Sequence, residues 1–509
     1  MSSPWSTPSS TPWSTPPLAE GPDAAHAPRP PLAGGPEGPS TPDGTEGPGP
    51  DALHPPLAGG PGGPDALRPL LDTVLDALRD GAAARGGPLP AGGPEKIAAH
   101  VRDALGAALP HTGTGAPEAL RTLVTALAHG AADPAHPHCA AHLHTPPLAL
   151  AAAADLAASA LNPSLDSWDQ APAASALEQL VTRALAAETH PTGRHPDALV
   201  TTGGTESNHL ALLLAREHHG PTLQTVCGAN AHHSIRRAAW LLGLPEPVTV
   251  PAPGGRLDLT ALAAVLTDLR GPLLVTATAG TTDTGRIDPL PEIADLCDAH
   301  GATLHIDAAY GGPLLFSETR RHLLTGLDRA RTVTLDLHKL GWQPVAAGLL
   351  AVPDTALLAP LGHTAPYLNA DDDTHAGLPN LLGRSPRTSR RPDILKIAVT
   401  LRALGRTGLG HLVDHVCAAA QALADLIDKN PRLDLYERPT LTTVLFRPTG
   451  ATDHAVAAAR RDLLAQGHAV LGRAHADGRL WFKATLLNPH TTPHHLEELT
   501  ALVEGSTTR

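Results

Sequence analysis

From Leu199 onward the chain alternates short β-rich runs with helical stretches, and this alternation limits its fold more than any other feature. The runs LQTVCG, PVTVP, PLLVTATAG, TLHIDAAY and TVTLDLHK are separated by segments of helical periodicity at 206–219, 234–243, 258–270 and 289–300. Strands that alternate with helices at this spacing lie mostly parallel, with the crossover helices covering both faces of the sheet. The pattern predicts an α/β fold whose large sheet domain spans 171–391. Before it, an apolar helical face of Leu67, Leu70, Leu71, Val74, Leu75 and Leu78 begins near Asp65. A second helix follows the Gly/Pro break at 86–94 and runs from about Pro94 to Leu109, which predicts a helical N-terminal arm over 65–170. After the sheet domain, a long helix (Ile394 to Leu404, then 408–428) leads into LTTVLFRP, a helix at 453–466 and LWFKATLL. That order predicts a smaller α+β domain over 392–509.

Residues 1–64 are dominated by Pro, Gly, Ser and Thr. Such a stretch cannot bury enough apolar surface to offset the entropy of ordering it, so a disordered tail is expected there, with Trp5 and Trp13 solvated. Aromatic residues make up only 2% of the 509, so the core has to be built from Leu, Ala and Val. A net charge of -13 with no basic stripe argues against a nucleic-acid partner. Cys139, Cys227, Cys297 and Cys417 lie far apart, which excludes a zinc knuckle or a disulfide framework and suits a reducing, cytoplasmic location. His136, His138, His142 and His144 surround Cys139, but their spacing fits no compact zinc pattern, and no metal is expected. The N-terminus lacks a basic region followed by an apolar run, and Leu148–Leu161 is too short to cross a bilayer. A soluble protein without a membrane partner is expected.

Three stretches at or near strand ends carry chemistry. In Thr201-Thr202-Gly203-Gly204-Thr205-Glu206-Ser207-Asn208, two glycines allow a tight turn and the following helix offers free N–H groups to an anion. The same sequence also suits a plain turn with a helix cap. In His305-Ile306-Asp307-Ala308-Ala309-Tyr310, the carboxylate at a strand end can bind a metal, cap a segment or pair with a buried cation. In Leu335-Asp336-Leu337-His338-Lys339-Leu340, the lysine is a candidate Schiff-base amine, although a lone lysine is most often a solvated charge. Taken together, an anion cradle, a carboxylate and a lysine in this order are what pyridoxal phosphate needs. The cradle takes the phosphate, the lysine takes the aldehyde, and the carboxylate keeps the ring nitrogen protonated.

The chain resembles the group II pyridoxal-phosphate-dependent amino-acid decarboxylases, and within them the L-2,4-diaminobutyrate and siderophore-pathway diamino-acid branch. The resemblance rests on HLHTPPLAL, ALNPSLDSWDQAPAASALEQLV, TTGGTESNHLALLLARE, TAGTTDTGRIDPLPEIADLC, LHIDAAYGGPLL, LDLHKLGWQP, RTSRRPDILKIAVTLRALGRTGLG and KATLLNP. It implies a type I aminotransferase-like fold, pyridoxal 5'-phosphate as cofactor, a small-molecule amino-acid substrate, and a homodimer with the active site at its interface. Carried over residue by residue, Lys339 would bind the cofactor aldehyde and Asp307 would pair with the ring nitrogen. Ala309 and His232 would cover the two ring faces, Gly204, Thr205 and His338 would hold the phosphate, and Thr278 would sit near the ring hydroxyl. Tyr367 matches a mobile-loop tyrosine that returns a proton to Cα in some relatives. The implied reaction is decarboxylation of an L-amino acid, with a diamino acid as substrate. Its rivals are an aromatic or glutamate decarboxylase, an aldehyde-forming oxidative deaminase of the same fold, and a non-catalytic scaffold. His233 after His232, and Gln343-Pro344-Val345-Ala346-Ala347-Gly348, depart from the common family pattern and bear on substrate choice.

Overall fold

Residues 55–363 and 365–507 are described by the computed structural model. The expected tail lies outside them up to residue 54, and Trp5 and Trp13 with it. The first helices are α1 (Gly63–Arg85), α2 (Gly93–Leu105) and α3 (Ala116–Gly130). Each carries Pro in its first turn, where the missing N–H costs nothing, and α1 stops at Gly86 in a left-handed conformation. There follow β1 (Cys139–Ala140), α4 (Ala149–Leu161) and α5 (Pro172–Thr189).

The main sheet contains β2 (Asp197–Thr201), β3 (Gln224–Gly228), β4 (Val248–Val250), β5 (Leu273–Thr278), β6 (Thr303–Ala308), β7 (Thr332–Asp336) and β8 (Gly348–Val352). Their order across the sheet is β2-β8-β7-β6-β5-β3-β4, and every pairing is parallel except the two made by β8. Helices α6 (Gly204–His219), α7 (Ser234–Leu241), α8 (Leu259–Asp268) and α9 (Leu290–His300) link successive strands from β2 to β6. The β-branched runs form strands because both faces of the sheet are covered, so the central strands are buried along nearly their whole length. The antiparallel β8 is not apparent in the sequence. GLLAV is a five-residue apolar run, too short for its period to distinguish strand from helix.

The C-terminal ends of β2, β5, β6 and β7 gather on one edge, where open α/β sheets bind their ligands. Gly348 of β8 pairs there with both Thr201 and Asp336.

Beyond the sheet lie the short α10 (Asp371–His375) and the long α11 (Ile394–Asp428), which breaks at Gly405, where φ is 63°. Then come β9 (Leu433–Leu435), β10 (Thr443–Pro448), α12 (Asp453–Ala465), β11 (Val470–Ala476), β12 (Arg479–Thr485) and α13 (Pro493–Thr507). The second sheet has the order β1-β11-β12-β10-β9. Three of its pairings are antiparallel, and β1, from far upstream, joins it parallel to β11.

All four cysteines are buried and free. Burial pushes the Cys139, Cys227 and Cys417 thiols up to about 11 and Cys297 up to about 12, so they pack as small uncharged groups. Burial also lowers the pKa of His136, His138, His142 and His144. Among the described residues no group of three or more His, Cys, Asp or Glu side chains is placed to hold a metal.

A buried ion pair ties α5 to the segment before α11. Arg390 donates to Glu178 through Nη1 at 2.9 and 3.1 Å and through Nη2 at 3.1 Å. Both side chains are almost fully enclosed, so losing Glu178 leaves the Arg390 guanidinium buried without its counter-charge. Glu178→Ala should therefore cost about 3–5 kcal/mol, read as a fall in urea-unfolding midpoint. A midpoint unchanged from wild type would show the pair to be dispensable.

Candidate active site

The strand ends enclose a cavity of about 280 Å³, lined by Gly204, Thr205, His232, Thr278, Asp307 and Lys339 among others. Ala309 and His338 also line it. Tyr367 does not: it is 83% exposed, beside a separate cavity formed with Trp168 and Asp169. The loop that carries it packs toward the start of α5 and not over the strand ends.

Lys339 sits on the turn that follows β7. Its amide reaches the Asp336 carbonyl at 3.4 Å, and its own carbonyl accepts from Trp342 at 3.3 Å. Trp342 is fully buried and donates Nε1–H to the Leu487 carbonyl at 2.8 Å, which pins the turn to the segment after β12. Lys339 Nζ lies 2.8 Å from Asp336 Oδ2.

Asp307, at the end of β6, is held on both oxygens. Oδ1 accepts from the Ala309 amide at 3.1 Å, and Oδ2 accepts from Asn208 Nδ2 at 2.7 Å. Asn208 stands one turn into α6 and also donates to Ser234 Oγ at 2.8 Å. Because its amide nitrogen faces a carboxylate, its Oδ1 must accept, and it does so from Thr334 Oγ1 at 2.8 Å and from His305 Nε2 at 3.0 Å. His305 therefore carries its proton on Nε2 and accepts at Nδ1 from Thr332 Oγ1 at 2.8 Å. Burial pushes the His305 pKa down to about 4, so the ring is neutral. Ser234, having accepted from Asn208, donates to His232 Nδ1 at 2.8 Å. Burial lowers the His232 pKa as well, against the opposing pull of Asp307.

The turn into α6 needs its glycines. Gly203 has φ 152°, and a Cβ there would stand 3.0 Å from His338 Cε1. A Cβ on Gly204 would stand 3.0 Å from both Ala309 Cβ and Asp336 Oδ2. With glycine at the cap no side chain blocks the first-turn N–H groups, which leaves them available to an anion.

Asn208, His305, Ser234 and Asp336 line this cavity or bond to residues that do, and the sequence motifs assign them no role. Asn208 is detectable, since position i+4 from Gly204 falls on the same helix face. Asp336 is detectable as a second carboxylate at a strand end. The His305 and Ser234 contacts depend on which strands neighbour each other and have no local signal.

The cavity fits pyridoxal phosphate by its own features. Thr278 Oγ1, Asp336 Oδ1 and His338 Nδ1 are buried without a hydrogen-bond partner, beside a cradle that any Cβ would fill. Fold and site together define a pyridoxal-phosphate enzyme of the type I aminotransferase-like fold. The chain belongs to the pyridoxal-dependent decarboxylase family, whose conserved domain matches residues 100–449. It is 42% identical over 401 residues to an L-2,4-diaminobutyrate decarboxylase of Rhizobium meliloti (strain 1021), covering 76% of this chain and 81% of the relative. A second L-2,4-diaminobutyrate decarboxylase, from Acinetobacter baumannii, is 32% identical over 77% of this chain and 84% of its own length. The crystal structure of the glutamate decarboxylase domain of diaminobutyrate-pyruvate transaminase and L-2,4-diaminobutyrate decarboxylase from Vibrio parahaemolyticus superposes with a TM-score of 0.79 at 30% identity. That match covers 89% of this chain and 98% of the other. The protein is a carboxy-lyase, and its cofactor is pyridoxal 5'-phosphate.

Eleven histidines (129, 136, 138, 142, 144, 190, 209, 219, 232, 305 and 338) have pKa values lowered by burial. The folded state binds protons at these rings less readily than the unfolded chain, whose histidines titrate near 6.5. Their contribution to stability is complete above 6.5 and is lost as pH falls toward the folded values, about 4 for His305. Urea midpoints measured at pH 7.5 and pH 5 should show the lower value at pH 5. Equal midpoints would mean that these rings are protonated in place without cost.

Proposed function

We propose that the protein decarboxylates an L-diamino acid, with 2,4-diaminobutyrate ahead of lysine and ornithine, to the amine and carbon dioxide. The observation that carries this reading is the convergence of Lys339, Asp307, His232 and the Gly203-Gly204 cradle on one cavity. The diamino substrate is supported by the two relatives named for L-2,4-diaminobutyrate.

The bound cofactor supplies an electron sink for the pair released at Cα as the carboxylate leaves. Lys339 offers the amine that holds its aldehyde carbon and yields to the substrate amine. Asp307 keeps a proton on the ring nitrogen, and its orientation is set by Asn208 and the Ala309 amide. His232, held uncharged by burial and oriented by Ser234, would pack on one face of the ring, with Ala309 on the other. Thr278 Oγ1 would meet the ring hydroxyl, while Gly204, Thr205 and His338 would hold the phosphate.

Tyr367 returns the proton to Cα from a second subunit, since within its own chain it stands outside the cavity. A homodimer is further supported by exposed apolar residues on the arm (65–170), among them Leu75, Leu78, Leu123 and Leu127. The arm would wrap the partner, the sheet domain (171–391) would carry the cofactor, and the remainder (392–509) forms the small C-terminal domain. Among the described residues no helix is long and apolar enough to cross a membrane. Together with four free cysteines, this is consistent with a cytoplasmic enzyme.

Carbon dioxide release should be measured as kcat/KM for 2,4-diaminobutyrate, lysine, glutamate, tyrosine and dihydroxyphenylalanine. A diamino acid should rank first, because a polar pocket rejects analogues that leave its buried groups unpaired. Tyrosine or dihydroxyphenylalanine outperforming the diamino acids would remove the substrate assignment and leave the decarboxylase intact. Lys339→Ala should abolish both turnover and the near-visible absorbance of the cofactor bound to its lysine. A borohydride-reducible adduct surviving in that variant would identify a different lysine.

A further inference from the structure

A carboxyl group stands beside the anion cradle at the start of α6. The Asp336 side chain is 1% exposed and lines the same cavity as Gly203, Gly204 and Thr205. Its carboxylate lies so close to the helix-opening backbone that a Cβ on Gly204 would come 3.0 Å from Oδ2. Oδ1 is buried with no hydrogen-bond partner.

We propose that Asp336 is a cofactor-positioning residue that makes phosphate uptake proton-dependent, its carboxyl and the phosphate sharing one proton drawn from solvent. Every charge that faces Asp336 bears on this. From its own turn, Lys339 lies at 2.8 Å and His338 Nε2 at 3.6 Å, and burial lowers the His338 pKa so that its ring is uncharged at neutral pH. From the loop before α7 comes His232, also lowered by burial, and the Asp307 side chain at the end of β6 lines the same cavity. Lys396 of α11 acts on His338, and its ammonium is taken by Asp155 at 3.0 Å and Asp393 at 3.1 Å.

Among the described residues Lys339 is thus the one cation in contact with Asp336. It is also the amine that takes the cofactor aldehyde, so with the cofactor attached its nitrogen would be bonded to that carbon and would keep one N–H in place of three, which weakens its hold on Asp336. A phosphate dianion and a carboxylate at one helix N-terminus would then repel each other. One proton between them replaces that repulsion with an O–H···O hydrogen bond. Because the second ionisation of a phosphate monoester lies near pH 6, the proton has to be taken up from solvent at pH 7 and above.

The test compares pyridoxal phosphate with pyridoxal, which has the same aldehyde and no phosphate. Both are titrated by absorbance into the full-length protein stripped of cofactor, between pH 7 and 8.5. Circular dichroism confirms that the stripped chain is folded. The affinity advantage of pyridoxal phosphate should shrink about tenfold per pH unit in the wild type, the slope of one coupled proton. It should stay level in Asp336→Asn, with Asp336→Ser as the alternative if the first variant does not fold. A level advantage in the wild type, or the same slope in the variants, would overturn the proposal. The proposal rests on Lys339 taking the aldehyde. If neither compound colours the wild type, that reading fails and this one with it, whereas colour with a level advantage removes this one alone.

Discussion

The side-chain amide of Asn208 holds the active site together. Its two N–H bonds go to Asp307 and Ser234, and its oxygen accepts from Thr334 and His305. Through these contacts one residue on α6 fixes the carboxylate at the end of β6, orients His232 by way of Ser234, and ties the helix to the adjacent strands. The group is buried, so each of these bonds acts in a low dielectric, and an unmade one would leave a polar atom stranded. The network is fully satisfied at its centre, and Thr278 Oγ1, Asp336 Oδ1 and His338 Nδ1, on residues that line the cavity beside it, are among the buried atoms without partners.

The glycines at 203 and 204 complete the arrangement by allowing α6 to begin against the ends of β7 and β6. A Cβ at Gly204 would crowd Ala309 and Asp336 at 3.0 Å, so glycine lets the helix start come this close without displacing either side chain. The site is therefore built from a close backbone approach on one side and a fixed carboxylate on the other. The lysine turn between them is anchored by Trp342, which is buried outside the cavity lining.

Much of this was legible in the sequence because the signals are local. Five strands and the helices between them were marked by period and by turn residues, and the cavity-lining positions from Gly204 to Lys339 sit at strand ends that those runs define. The break in α11 at Gly405 falls between the two helical stretches read there. What escaped was non-local. Strand β8 is too short for its period to be decisive, and β1 is two residues long and gains its pairing only from β11. Tyr367 matches a family motif, but sequence carries no information on which wall its loop packs against, and in this chain that wall is near Trp168. The Thr332–His305–Asn208 relay needs the sheet order to be known before its members become neighbours.

The placement of β1 has a consequence for how the chain is made. Cys139 and Ala140 pair with Val470 and Leu471, and the Trp342 indole waits for the Leu487 carbonyl. A ribosome delivers the segment that contains β1 and the lysine turn long before it delivers their partners, so neither can settle while the chain is still growing. Pairings this distant in sequence are slow to form and leave apolar surface exposed in the meantime. The Lys339 turn can take its final shape only after residue 487 has been made, so a chain terminated before that point would lack the anchor that Leu487 gives Trp342.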